Sequence, residues 1–213
     1  MKKKNDFTVL FQGDSITDCG RARDAANPNA ALGGGYAMLA AGRMLHDMPG
    51  KNLRFWNRGI SGNRVVDLYA RWKIDALNLK PDLISILIGV NDTWHEFASE
   101  NGVEVERYGE IYSMLLSWTV KKLPNTKIML MEPFVLQCGA VGKDWPAEID
   151  QRRKIVKKLA AEFNATFLPL QALFNAAAAK NNPEYWLGDG VHPTYAGHTL
   201  IADNWVKTAV KLI

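Results

Sequence analysis

Leu83-Ile84-Ser85-Ile86-Leu87-Ile88, running on into Gly89-Val90-Asn91-Asp92, is the stretch on which the fold turns. Its side chains do not alternate between apolar and polar, so the run reads as a strand covered on both faces, the habit of a parallel sheet interior. Ile128–Met131 reads the same way, and shorter apolar runs at Val9–Phe11, Leu53–Trp56 and Thr166–Leu168 complete a set of strands. Helical spacing fills the intervals: Val66, Tyr69, Trp72 and Ala76 in one, Ile149, Val156, Leu159 and Phe163 in another. Ile201, Trp205 and Leu212 repeat it near the end, with Pro193 where that last helix is expected to begin. Ala176–Ala179 is a run that a helix accepts. Strand and helix in alternation predict an α/β fold, a parallel sheet with helices on both faces.

Strand chemistry suggests the order. Arg54 in the second run and Pro169 directly after the fifth both suit sheet edges. Order 2-1-3-4-5 places those runs at the rims, whereas 3-2-1-4-5 would bury Arg54 at high cost. The switch point then falls between strands one and three, and ligands bind there, beyond the carboxyl ends of the strands.

Composition bounds the function. The 213 residues, 47% of them hydrophobic, suit one buried core, so a single domain over 1–213 is expected. A net charge of +4 is weak, three of the charges being Lys2–Lys4 at an exposed terminus. No basic stripe interleaved with aromatics points to nucleic acid. Cys19 and Cys138 make no disulfide framework and read as free thiols in a reducing compartment. Phe7–Phe11 is too short for a signal-peptide core, and nothing approaches the roughly 18 apolar residues of a membrane span. The expectation is a soluble cytoplasmic protein with neither a nucleic-acid nor a membrane partner.

Four segments meet at the carboxyl rim: Gly13-Asp14-Ser15-Ile16-Thr17-Asp18, Asn57-Arg58-Gly59-Ile60-Ser61-Gly62, Gly89-Val90-Asn91-Asp92 and Asp189-Gly190-Val191-His192-Pro193. A serine hydroxyl attacks an ester only when a base removes its proton. Ser15 is the candidate nucleophile, His192 the base, and Asp189 the group that orients the imidazole through Nδ1–H. The N–H groups of Ser15 and Gly59 and the side-chain amide of Asn91 are candidate oxyanion donors.

A lone serine after a strand is usually a turn former or helix cap, and Ser61 is read that way because it lacks the spacing of a nucleophile elbow. Asp14 and Asp92 suit loop bracing through backbone N–H groups. Asp14 is also carried, with Trp94, as a candidate substrate contact. His46 reads as a surface residue of the first helix, His95 as a solvated loop residue and His198 as packed early in the last helix. Gly33-Gly34-Gly35 lacks the Lys-Ser/Thr partner of a phosphate cradle and reads as a mobile loop. Trp94, Trp145 and Trp186 are placed in or near loops.

The four blocks, in this order, resemble the SGNH (GDSL-type) hydrolases. The serine, glycine, asparagine and histidine of that name correspond to Ser15, Gly59, Asn91 and His192, with Asp189 as third triad member. Ser15-Ile16-Thr17-Asp18-Cys19-Gly20-Arg21, Ala70-Arg71-Trp72 and Trp94 are most similar to the acetyl-xylan esterases of that superfamily. The resemblance implies a three-layer, flavodoxin-like α/β/α fold, no metal or other cofactor, a homo-oligomer, and removal of acetyl groups from carbohydrate hydroxyls. The chain departs from those relatives in ending at Lys211-Leu212-Ile213, without an aromatic tail. The polar segments Asn27–Gly35 and Glu96–Glu106 suit a short acyl group better than a fatty chain. Three alternatives stand beside this one. They are a lysophospholipase or thioesterase, a phosphoesterase holding a divalent cation with Asp14, Asp18, Asp92 and Asp189, and a non-catalytic carbohydrate-binding protein.

Overall fold

Five parallel strands carry the molecule in the computed structural model, which describes residues 6–24 and 26–213. They are β1 (Asp6–Gly13), β2 (Asn52–Asn57), β3 (Leu83–Leu87), β4 (Lys127–Met131) and β5 (Thr166–Leu168). Their order is β2-β1-β3-β4-β5, as expected. Lys2–Lys4 lie outside the described residues. Thr8 pairs with Arg54 across β1 and β2, and the Arg54 guanidinium reaches back to Asp6 Oδ2 at 2.8 Å. The edge thus lets a cation on a strand stay half in water while it meets a carboxylate.

Helices α1 (Ser15–Asp18), α2 (Tyr36–Asp47), α7 (Leu170–Ala178), α8 (Pro183–Trp186) and α9 (Tyr195–Ala209) are joined by α3 (Val65–Asp75), α4 (Val90–Ser99), α5 (Val105–Lys122) and α6 (Trp145–Glu162). Two apolar layers flank the sheet. On one face Val9, Phe11, Leu83 and Met129 pack with Tyr36, Met44, Ile201 and Trp205 from α2 and α9. On the other Leu10, Ile84, Ile86 and Leu130 pack with Trp72, Tyr112, Leu116 and Val156 from α3, α5 and α6. Consecutive strand residues serve opposite layers, which is why β3 shows no polar face. Ser85 interrupts the apolar run without penalty, because its hydroxyl accepts from the Trp205 indole N–H at 2.8 Å.

Three local readings need correction. The buried stripe of α3 is Val65, Leu68, Trp72 and Ala76, while Val66 and Tyr69 are half-buried on its flank. Pro193 precedes α9 rather than opening it: Thr194 is the N-cap, accepting from Gly197 N–H at 3.3 Å, and Pro193 bridges to Leu187. Trp94 and His95 stand on α4, not on a loop, whereas Trp145 and Trp186, the first residue of α6 and the last of α8, lie beside loops as expected.

Candidate active site

The first functional segment is set by a tight strand exit. A Cβ at Gly13 would meet Leu87 O at 2.3 Å and Thr17 Oγ1 at 2.4 Å, so only glycine lets β1 turn straight into α1 beside β3. Asp14 caps α1, its Oδ1 accepting from Ile16 N–H at 3.0 Å. Ser15 is the first helical residue, a position whose N–H has no acceptor within the helix. Its hydroxyl is left half-exposed at the carboxyl rim.

The C-terminal segment closes over it. Gly188 N–H donates to His192 O at 3.0 Å, and Asp189 Oδ1 accepts from the N–H groups of Val191 at 2.9 Å and His192 at 2.7 Å. The loop therefore holds its own aspartate before any tertiary contact is counted. Asp189 Oδ2 lies 2.7 Å from His192 Nδ1, and His192 Nε2 lies 2.8 Å from Ser15 Oγ. Partial burial works to raise the Asp189 pKa, but the His192 ring and the two backbone N–H groups outweigh it, and the carboxyl sits below its ordinary value. Side-chain exposures of 45% for His192 and 38% for Asp189 make this an open, shallow site.

Asn91, in the first turn of α4, is buried at the same rim and gives one amide hydrogen to Asn63 O at 3.1 Å. Its second amide hydrogen remains for a ligand. Gly59 lies against α1, where a Cβ would meet Asp18 N at 2.5 Å. Its N–H donates to Asn57 Oδ1 at 2.9 Å, so any donation to an oxyanion must be shared with that bond. Asn57 was not singled out from the sequence. Its amide is anchored by Thr17 O at 2.6 Å and Leu32 O at 2.9 Å, and the available signal was an asparagine two residues before a glycine at a strand end. Arg21 was also missed as a site residue. It is buried, and its Nε donates to Gly59 O at 2.7 Å.

The remaining candidates sort by burial and partner. Asp14 and Asp92 are both buried, and Asp92 Oδ1 accepts from Val65 N–H at 3.0 Å. Burial pushes each carboxyl up to about 7; the proximity of Asp92 adds to the shift at Asp14, while backbone N–H groups oppose it at both. At 1% exposure Asp14 offers no surface to a substrate, and bracing is the role its geometry fits. Trp94 is half-buried with its ring 5.6 Å from that of His192. Ser61 is exposed and its N–H donates to Asp18 Oδ2 at 2.9 Å, a contact that ties its turn to α1. His46 is exposed on α2 and His95 half-buried on α4. His198 is buried, its Nδ1 accepting from Tyr36 N–H at 3.1 Å, and burial pushes its pKa down to about 4. Gly34 N–H donates to Cys19 O at 2.8 Å, so the triple-glycine run is packed against the end of α1 rather than standing free.

The carboxylates of the metal alternative are committed separately. Asp18 pairs with Arg23 at 2.5 Å, Asp189 serves His192, and Asp14 and Asp92 hold backbone N–H groups. Among the described residues no group of three or more His, Cys, Asp or Glu is placed to hold a metal ion. Nor is any described helix long and apolar enough to cross a membrane.

A Ser-His-Asp chain at the carboxyl rim of a 2-1-3-4-5 sheet defines an α/β/α serine hydrolase. The chain belongs to the GDSL-like Lipase/Acylhydrolase family, whose model matches residues 11–200. It is 39% identical over 213 residues to "Acetylxylan esterase" of Geobacillus stearothermophilus, covering 97% of this chain and 95% of the relative. A GDSL-like protein from Parabacteroides merdae superposes with TM-score 0.94 at 44% identity, over 100% of this chain and 99% of that one. Axe2, an acetylxylan esterase from G. stearothermophilus, superposes with TM-score 0.86 at 37% identity, over 95% and 93%. Catalytic mutants of Axe2 substituted at a serine, an aspartate and a histidine match equally well.

Proposed function

We propose that this chain removes acetyl groups from carbohydrate hydroxyls, with Ser15 as nucleophile. The observation that carries the reading is the continuous chain from Ser15 Oγ to His192 Nε2 at 2.8 Å and from His192 Nδ1 to Asp189 Oδ2 at 2.7 Å. In the proposed reaction Ser15 Oγ attacks the ester carbonyl carbon and its proton passes to His192 Nε2. Asp189 keeps Nδ1 protonated and stabilises the imidazolium. The oxyanion is met by Ser15 N–H and the second Asn91 amide hydrogen, with Gly59 N–H sharing from its bond to Asn57. Collapse expels the sugar oxygen, which takes the proton from His192, and water then releases acetate from Ser15 by the same steps.

Similarity to acetylxylan esterases supports the acetyl group and the carbohydrate acceptor. The proposal extends to a single domain over 1–213 and, as the family resemblance in the sequence implies, to a homo-oligomer, and the free thiols Cys19 and Cys138 suit the cytoplasm. A long acyl chain would need apolar burial worth about 0.8 kcal/mol per CH₂, which an open rim does not offer. The test is a panel of acetyl, butyryl and octanoyl esters of one alcohol beside acetylated xylo-oligosaccharides, run with wild type and Ser15→Ala. Acetyl esters should give the highest kcat/KM, and Ser15→Ala should abolish all turnover with its fold retained. Preference for octanoyl would transfer the chain to the lysophospholipase or thioesterase reading.

A further inference from the structure

Helix α4 carries more than the oxyanion amide. Asn91, Trp94 and Phe97 follow one another at three-residue steps, about 4.5 Å apart along the axis. The Trp94 ring stands 5.6 Å from the His192 ring and 5.3 Å from that of Trp145. Phe97 lies 5.7 Å from Trp145 with the rings 15° from parallel, so one of its faces is covered. Phe97 is nevertheless 50% exposed, among Glu96, Ser99 and Glu100 on the outer part of the helix. Trp145 is buried, so the accessible aromatic surface of this cluster belongs to Trp94 and Phe97.

The direction of the cluster matters. In the proposed reaction the leaving oxygen must reach His192 Nε2 to recover its proton, whereas the carbonyl oxygen faces the donors of Ser15 and Asn91. Groups that flank His192 therefore border the alcohol portion of the ester, not the acyl portion. We infer that Trp94 and Phe97, backed by Trp145, form a subsite for the carbohydrate chain of the alcohol, beginning beside His192 and ending at the open face of Phe97. The inference rests on the carbohydrate esterase reading and adds to it a length of substrate and a direction. A flat ring with one free face, held rigid by stacking on a buried tryptophan, suits the apolar face of a pyranose and is ordered before the ligand arrives. Trp94 meets the sugar that bears the ester, and Phe97 a sugar further along.

The experiment compares kcat/KM of wild type, Phe97→Ala and Phe97→Leu on para-nitrophenyl acetate and on monoacetylated xylo-oligosaccharides of one to four sugars. In wild type kcat/KM should rise with chain length. In both variants the loss should grow with length, reaching about 3–10-fold in KM on the longest substrate with kcat little altered. Leucine keeps apolar cover over Trp145 but lacks a flat face, so it separates the platform from mere packing. Losses equal on every substrate, or rescue of the long-substrate KM by Phe97→Leu, would overturn the subsite. A wild type inactive on para-nitrophenyl acetate and on every acetylated sugar would instead overturn the esterase reading beneath it.

Discussion

Asn91 has two amide hydrogens and one fixed partner, Asn63 O at 3.1 Å, so the side chain is held while half its donor capacity stays available. A donor fixed in this way acts on the charge that develops in the transition state, without reorganisation. Asn91→Ala should lower kcat by roughly 10²–10³ with KM little changed, measured by steady-state kinetics on acetyl esters. A change confined to KM would assign the amide to ground-state binding. At this scale the sequence was legible where geometry is local. Asp189 and His192 lie three residues apart in one loop, whose backbone N–H groups bind the same carboxylate. The commitment of Gly59 N–H was not legible, because it depends on where Asn57 points. That side chain is fixed by Thr17 O and Leu32 O, 40 and 25 residues distant in sequence.

At the scale of elements, helix periodicity gave the presence of α3 but set its stripe one residue late at two positions. Aromatic Tyr69 is as apolar as a core residue but takes a flanking place against Trp118, with ring centroids 5.8 Å apart. Trp72 belongs to both versions of the stripe, and its polar atom explains a residue that no pattern marks. Its indole N–H donates to Thr119 Oγ1 at 2.8 Å, both residues being buried where α3 meets α5. Thr119→Val keeps the shape and removes the acceptor, leaving the indole N–H unpaired. The cost should be about 1–3 kcal/mol in unfolding free energy, read by chemical denaturation, with kcat unaltered. A neutral outcome would mean that the helix interface relaxes enough to pair the indole elsewhere.

For the molecule as a whole, the sheet order was legible because two edge residues, Arg54 and Pro169, disfavour interior places. What no pattern showed is that three buried titratable groups beneath the site pull stability in opposite directions with pH. His198 has its pKa pushed by burial from 6.5 to about 4, so the unfolded chain binds its proton more readily than the folded one. Its contribution is complete above pH 6.5 and is lost as pH falls toward 4. Asp14 and Asp92 are pushed by burial from 3.8 to about 7. The folded chain keeps their protons, and their contribution is complete below 3.8 and lost as pH rises through 7. Between these limits two groups favour low pH and one favours high pH, so this trio makes the protein less stable as pH climbs toward neutral. Asp92→Asn retains an oxygen for Val65 N–H and removes the titration. Its stability relative to wild type should increase from pH 5 to pH 8, by an amount on the order of a few kcal/mol. His198→Asn retains an acceptor for Tyr36 N–H, and its stability relative to wild type should increase in the other direction, as pH falls from 6.5 toward 4. Denaturant unfolding of the three proteins across this range provides the measurement. Curves that run parallel for wild type and Asp92→Asn would show that Asp92 ionises in the folded protein as readily as in the unfolded chain. The carboxyl beside Asn91 would then be solvated in the folded state, and the rim of the site looser than its packing indicates.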